Sequence, residues 1–442
     1  MDSLTQIVLG AALSAAIAPA QHRRAALLAG AALGTLPDLD VLPVNLLTGD
    51  PVARMTWHRS ISHSLLVLPF VAWAIWGWCR GRGGRVAQSP KRWFWAMQAA
   101  LLTHPVLDAF TVYGTQLWWP LPARPTMWSS IFIIDPLYTV WLLAACVWAW
   151  FARAGRSAQP ALALGLALSS LYLGGSLWAK HRVEQAAQPA LAALGLENAP
   201  RFSVPMPFTT ALWRVVAMTP DGYVEGERSL LADRGPMHFR LYPSDSLAYS
   251  QVSGYPAVHR LQWFNHGFMK AEERDGRLVL SDLRMGAEPD YNFRFAVARR
   301  EAGGWREIAP EQLQWPWDAA ARLPAMWQRI WREPAPVPPE HTVADVRRLQ
   351  RATPMRARAG IDARPGSEFS GEMSDDLGGG EAAAPQPRAR RPPRGRRGAD
   401  GQGRRDRGQG DKRPVSTGLQ ICIIGPPRRR TAAPPRLRPP PR

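Results

Sequence analysis

Glutamate is missing from the first 178 residues, which hold only six aspartates against 12 Lys+Arg. Cysteine is scarce as well. Cys79 and Cys146 lie in apolar segments, Cys422 lies near the C-terminus, and no C-x-x-C spacing occurs. That excludes a disulfide scaffold and a Cys-based zinc site. A basic leader is also lacking: Asp2 stands where a signal peptide would carry positive charge, and the first apolar stretch runs straight into another. No cleavable signal peptide is expected. Large apolar residues are nearly absent from residues 351–442, an Arg/Pro/Gly/Ala-rich stretch that cannot bury enough surface to offset its ordering entropy. The formal charge of +19 is therefore uneven: +6 over residues 1–178, +1 over 179–350 and +12 over 351–442. The total suggests a nucleic-acid binder. Its distribution excludes a single soluble domain and asks for three regions to be read separately.

The first region is a membrane bundle. Segments 61–79, 93–112, 131–151 and 160–178 are rich in Leu, Ala, Val and Trp, and each approaches the about 20 residues needed to span a bilayer. Two shorter apolar arms precede them, Leu4–Ala18 and Ala25–Leu36, reading as a tight or partly inserted hairpin. Ser3-Leu4-Thr5-Gln6 reads as a capping box for the first arm. Trp73, Trp76, Trp78, Trp93 and Trp95 flank the 80–92 loop as interfacial aromatics do. Arg23, Arg24, Arg80, Arg82, Arg85, Lys91, Arg92, Arg153 and Arg156 fall in alternate loops, so nine of the 12 cations share one face. The positive-inside rule assigns that face to the cytoplasm. All six carboxylates fall on the other.

Three motifs end on the acidic face: Leu36-Pro37-Asp38-Leu39-Asp40, His58-Arg59-Ser60-Ile61-Ser62-His63-Ser64 and His104-Pro105-Val106-Leu107-Asp108. A helix places His104 and Asp108 on one side. Pro105 disturbs the backbone there, which membranes tolerate where protein or a cavity lines it. An ionised Asp at mid-membrane costs about 2.5–3.5 kcal/mol even on the lenient scale, so Asp108 needs a partner. A cation serves, and Arg59 or Arg124 is the alternative. Three histidines and three aspartates in a bundle otherwise almost free of ionisable groups point to a metal, zinc first, with manganese or iron next. Six donors exceed one open zinc site, so either two metals bind or some aspartates orient ligands or act as base. Thr111–Pro120 adds hydroxyls, Tyr113, Gln116 and an aromatic wall. Asp135 reads either as part of this face or as a helix N-cap.

These motifs, together with the opening Met1-Asp2-Ser3-Leu4-Thr5-Gln6, Thr111 through Gln116 and Ile134-Asp135-Pro136-Leu137-Tyr138, resemble in order the YdjM-type family of bacterial inner-membrane-bound metal-dependent hydrolases. The resemblance covers about residues 1–180, with Ser60 standing where the family more usually has Gly. It implies an integral membrane protein with a hydrolytic metal site, and it implies His58, His63, His104, Asp108, Asp38 and Asp40 as the metal and catalytic set.

The expected fold class is an α-helical membrane bundle followed by a small β-rich extramembrane domain and a disordered tail. Residues 1–180 form the membrane domain and 181–199 a helical connector. Residues 200–334 form a β-rich domain with a helix near 257–270, and 335–442 a Pro/Arg-rich tail. That tail's bias is also what an out-of-frame reading of a GC-rich gene would produce. His259 and His266 lack accompanying carboxylates and read as structural. The expected activity is metal-assisted hydrolysis of an ester or phosphoester at the non-cytoplasmic membrane face. Asp40 or Asp108 takes a proton, and Arg59 or Arg124 steadies negative charge. The expected partners are a small-molecule or lipid-like substrate and membrane lipid, with no nucleic acid. A metal or proton transporter, or a non-catalytic scaffold, is the alternative. Clustering of the ionisable groups at one face argues against transport.

Overall fold

A computed structural model describes residues 1–315 and 318–334; the disorder expected of residues 335–442 lies outside them. The helical region runs α1 (Ser3–Ile17), α2 (Arg23–Thr35), α3 (Val41–Leu47), α4 (Pro51–Trp57), α5 (Leu68–Gly81), α6 (Gly84–Gln88), α7 (Pro90–Ala109), α8 (Pro136–Ala152) and α9 (Ala158–Ala193). Short 3-10 turns over Leu36–Asp40 and Ile61–His63 interrupt it. Among the described residues, Ala20–Leu47 and Ala158–Ala193 are long and apolar enough to cross a bilayer. A third crossing results if Pro51–His63 and Leu68–Gly81, bent by 57°, act together.

The expected segments shift accordingly. The short hairpin's second arm continues through Leu36–Asp40 into α3. Helix α5 starts at Leu68, because His63 and its neighbours occupy a 3-10 turn. Helix α7 is long enough but carries Lys91, Arg92, His104 and Asp108, and α8 has only 17 residues because Asp135 caps it. The N-cap of α1 is Asp2, whose carboxylate accepts from the Thr5 N–H at 3.1 Å, one residue earlier than the Ser3 capping box.

Small residues let the first helices touch. A Cβ on Gly10 would lie 2.3 Å from Gly30 O, and one on Gly34 would lie 2.4 Å from Gln6 O. Gly30 and Gly34 thus form a small-xxx-small seam, the kind that drives close helix packing where lipid supplies no hydrophobic force. Outward faces stay apolar: Phe70, Trp73, Phe151, Leu164 and Leu171 are all exposed. Such faces suit contact with lipid.

The 36 residues of α9 extend roughly 54 Å, well beyond a hydrocarbon core of about 30 Å. Its far half buries Ala179, Val183, Ala187 and Leu191 against Trp213, Val215 and Ala217 of the β-rich part. The expected connector at 181–199 is therefore mostly the continuation of the spanning helix.

The β-rich part holds β1 (Arg201–Pro205), β2 (Leu212–Thr219), β3 (Gly222–Ser229) and β4 (Arg240–Pro243) in one antiparallel sheet, ordered as in the chain. After α10 (Ser246–Val252) and α11 (Pro256–Phe264) come β5 (Met269–Arg274), β6 (Arg277–Asp282), the short pair β7 (Gly286–Ala287) and β8 (Asp290–Tyr291), β9 (Arg294–Glu301) and β10 (Gly304–Gln312). The second sheet runs β10-β9-β6-β5. Helix α11 stops at Phe264, short of the expected 270, because His266 (φ +61°) and Gly267 (φ +83°) turn left-handed. An amphipathic α12 (Ala319–Trp331) follows. Val52, Met55 and Tyr113 of the helical region share a core with Leu261, Phe264 and Phe295, so the β-rich part packs on the segments that carry the histidine motifs.

Candidate metal centre

Asp38 comes from the first 3-10 turn, His63 from the second, and His104 and Asp108 from the last turns of α7. One ligand atom from each lies within 4.8 Å of the other three. The two Nε2 atoms of His63 and His104 are 3.1 Å apart. Asp108 Oδ2 lies 3.2 Å from His63 Nε2 and 3.6 Å from His104 Nε2, and Asp38 Oδ1 lies 3.4 and 3.5 Å from the same nitrogens. A tetrahedral cation with bonds of about 2.0–2.1 Å has ligand–ligand edges of about 3.3–3.4 Å. The donor set fits that size.

The proton positions, assigned from hydrogen-bond partners, sharpen the fit. His104 Nδ1 faces the Gly34 carbonyl at 2.7 Å. A carbonyl only accepts, so Nδ1 holds the proton and Nε2 presents a lone pair in the neutral ring. His63 Nδ1 faces Ser62 Oγ at 2.9 Å, and that hydroxyl donates to Asp40 Oδ2. With the Ser62 proton so used, His63 Nδ1 donates, and in the neutral ring its Nε2 presents the lone pair. Two imidazole lone pairs and two carboxylate oxygens therefore converge, and Asp108 Oδ2 has no hydrogen-bond partner. Crowded lone pairs of this kind are stabilised by a cation. The remote Nδ1 bonds are those that orient metal-binding imidazoles.

His58 and Asp40 lie one layer out. His58 Nδ1 bonds Asp40 Oδ1 at 2.7 Å, and the His58 ring centroid is 5.8 Å from that of His63. Asp40 Oδ2 also accepts the Arg59 N–H at 3.1 Å. Neither residue belongs to the group of four, so the six expected donors divide into four that converge and two that flank them.

Arg59 answers the question of Asp108's protein partner. Its Nε lies 3.2 Å from Asp108 Oδ2, though misaligned for a hydrogen bond, and its guanidinium sits 4.8 Å over the Tyr113 ring. Arg124 is exposed in the loop after α7. Arg59, not Ser60, adopts the left-handed backbone, at φ +63°. The Gln116 N–H bonds the Arg59 carbonyl at 3.0 Å and helps hold it there.

Several further residues support the cluster from a distance in the sequence. Gln6 Nε2 donates to Asp108 Oδ1 at 2.9 Å and to the His104 carbonyl at 3.2 Å, and the Met1 amino group also contacts Asp108 Oδ1. Gly34 and Ser62 fix the two imidazoles. Only the small-residue spacing of Gly30 and Gly34 was a legible signal for the first of these.

Other candidates have structural work. Tyr113 OH donates to the Met55 carbonyl and Gln116 Nε2 to the Thr56 carbonyl. Asp135 Oδ1 caps α8 by accepting from the Leu137 and Tyr138 N–H groups. His259 is exposed on α11. His266 Nε2 bonds the Pro125 carbonyl at 2.9 Å, and burial pushes its imidazole below the usual value.

No curated protein and no solved structure matches the chain. Residues 1–183, however, match the family model described as YdjM inner membrane protein. All four converging donors fall inside that match, so the site lies wholly in the part of the chain that is similar to this family.

Proposed function

We propose that the protein is a multi-pass inner-membrane hydrolase that uses a metal held by Asp38, His63, His104 and Asp108 to cleave an ester or phosphoester of a small or lipid-like substrate. The observation that carries this reading is the convergence of four lone-pair atoms while both imidazole Nδ1 protons are engaged elsewhere. Bound there, a divalent ion, zinc first by this donor set, supplies Lewis acidity and lowers the pKa of water toward about 7.

The chain's own residues then have distinct tasks. Asp40 holds the Nδ1 proton of His58, which leaves His58 Nε2 as the basic nitrogen, a pairing that suits proton transfer. Asp40 thus orients the base, in place of accepting the proton itself. Arg59 is the cation beside the cluster and steadies negative charge developing on substrate. Asp38 is the most exposed of the four donors. Leu39, Leu42, Leu46 and Leu47 lie exposed immediately after it, an apolar rim suited to an amphiphile. The positive-inside rule assigns this end to the non-cytoplasmic side.

The test uses full-length protein in lipid nanodiscs, loaded with zinc, against chromogenic carboxylic esters, phosphodiesters and phospholipids. Turnover should exceed that of chelator-treated protein, and His58→Ala should lower it by about 10²–10⁴-fold while retaining the metal. No metal-dependent turnover across the panel, with metal uptake into sealed vesicles instead, would select the transporter.

A further inference from the structure

The end of the helical region remote from His58, His63 and His104 carries a groove of ≈ 550 Å³, lined by Ile17, Arg23, Lys91, Arg92, Trp95, Gln159 and neighbouring alanines. It lies where α1 ends and where α7 and α9 begin. All six aspartates of residues 1–178 sit at or near the opposite end, so no carboxylate of this region offsets its three cations.

Arg23 is 3% exposed. Its Nη1 donates to the Arg153 carbonyl at 2.6 Å and its Nη2 to Gln159 Oε1 at 2.9 Å, both neutral acceptors. Its Nε is buried and has no partner. A buried guanidinium without a counter-charge is costly unless an anion completes it. Lys91 and Arg92 compound this, because they occupy the first turn of α7, where the helix dipole disfavours cations and attracts anions. Ser89 and Ser157, the N-caps of α7 and α9, make no side-chain cap bond, so the first-turn N–H groups of both helices lack that acceptor.

The groove is also half apolar. Ile17 and the alanines form one wall, and the Trp95 indole is 62% exposed beside the cations. A small soluble anion has no use for such a wall, whereas a phospholipid phosphate with its acyl chain uses both halves. Basic pockets between spanning helices are suited to anionic headgroups. We propose that this groove binds an anionic phospholipid, with the phosphate met by Arg23, Lys91 and Arg92 and the upper acyl chain lying along Ile17 and Trp95. The site is separate from the metal centre and does not depend on the hydrolase reading.

The experiment is lipid retention by full-length protein, read by native mass spectrometry after exchange between phosphatidylcholine and phosphatidylglycerol nanodiscs. Arg23→Gln also removes bonds that join α2 to α9, so the informative variant is Lys91→Gln with Arg92→Gln. Arg82→Gln with Arg85→Gln is the control, removing equal charge at the same end outside the groove. Wild type should retain phosphatidylglycerol selectively, the groove variant should lose about fivefold in affinity per cation removed, and the control should stay near wild type. Equal loss in the control would reduce the effect to general surface charge and overturn the site. So would absence of preference for phosphatidylglycerol. Displacement of the lipid by inorganic phosphate alone would identify a soluble anion as the ligand and overturn the lipid assignment.

Discussion

The two ends of the helical region solve opposite electrostatic problems with similar helices. At one end, Asp108, His63 and His104 are fully buried and converge on a common point. At the other, Arg23 is buried without an anion, and Lys91 and Arg92 are exposed beside it. Charge alone does not distinguish a site from a solvated face. The acidic end reads as a site because its groups are withdrawn from water and their hydrogen bonds dictate which lone pairs remain. The basic end reads as a receptor for something external because its hydrogen bonds leave positive charge over.

That contrast can be broken most severely at Asp108. Asp108→Ala leaves Arg59 buried without its carboxylate, and loss of one partner of a buried pair typically destabilises by about 3–5 kcal/mol. Thermal unfolding in detergent should show a large drop in midpoint, and an unchanged midpoint would mean that Arg59 finds another partner. Next comes Asp40→Asn, which disturbs the Ser62–His63 relay and the His58 pairing without touching a converging atom. Metal affinity, measured by chelator competition, should fall by about 10–100-fold at near-constant thermal stability. Gly34→Ala forces a Cβ against Gln6 O and shifts the carbonyl that anchors His104. The overpacking should cost about 1–3 kcal/mol, read by chemical denaturation, with a smaller loss of metal affinity. The least effect at the acidic end is expected from Lys91→Gln with Arg92→Gln. Metal content by mass spectrometry should match wild type within error, and a parallel loss would show that the two ends are coupled.

The parts of this arrangement that were legible in the sequence are those fixed by residue type and order. The histidine and aspartate motifs, the alternation of basic loops and the β-rich character after residue 200 all depend on local pattern. Asp–Gly pairs at 221–222 and 275–276 mark hairpins that the β2–β3 and β5–β6 registers contain. The division of labour among the six donors was not legible, because it depends on long-range partners. His104 is set by a carbonyl 70 residues away, and Gln6 reaches Asp108 across 102 residues. Gln6 carried a plausible local role in a capping box, and that local reading concealed its tertiary one. The bounds of the spanning segments shifted for a similar reason. Proline, 3-10 turns and Asp caps end helices at places that mean hydropathy does not register.

Whether Asp38, His63, His104 and Asp108 hold a metal ion is tested most directly by metal analysis of the purified full-length protein beside His63→Ala and Asp108→Ala. Wild type should carry about one tightly held divalent ion per chain, and both variants should lose it. Wild-type protein holding no more metal than either variant would mean that these four side chains do not form a metal site.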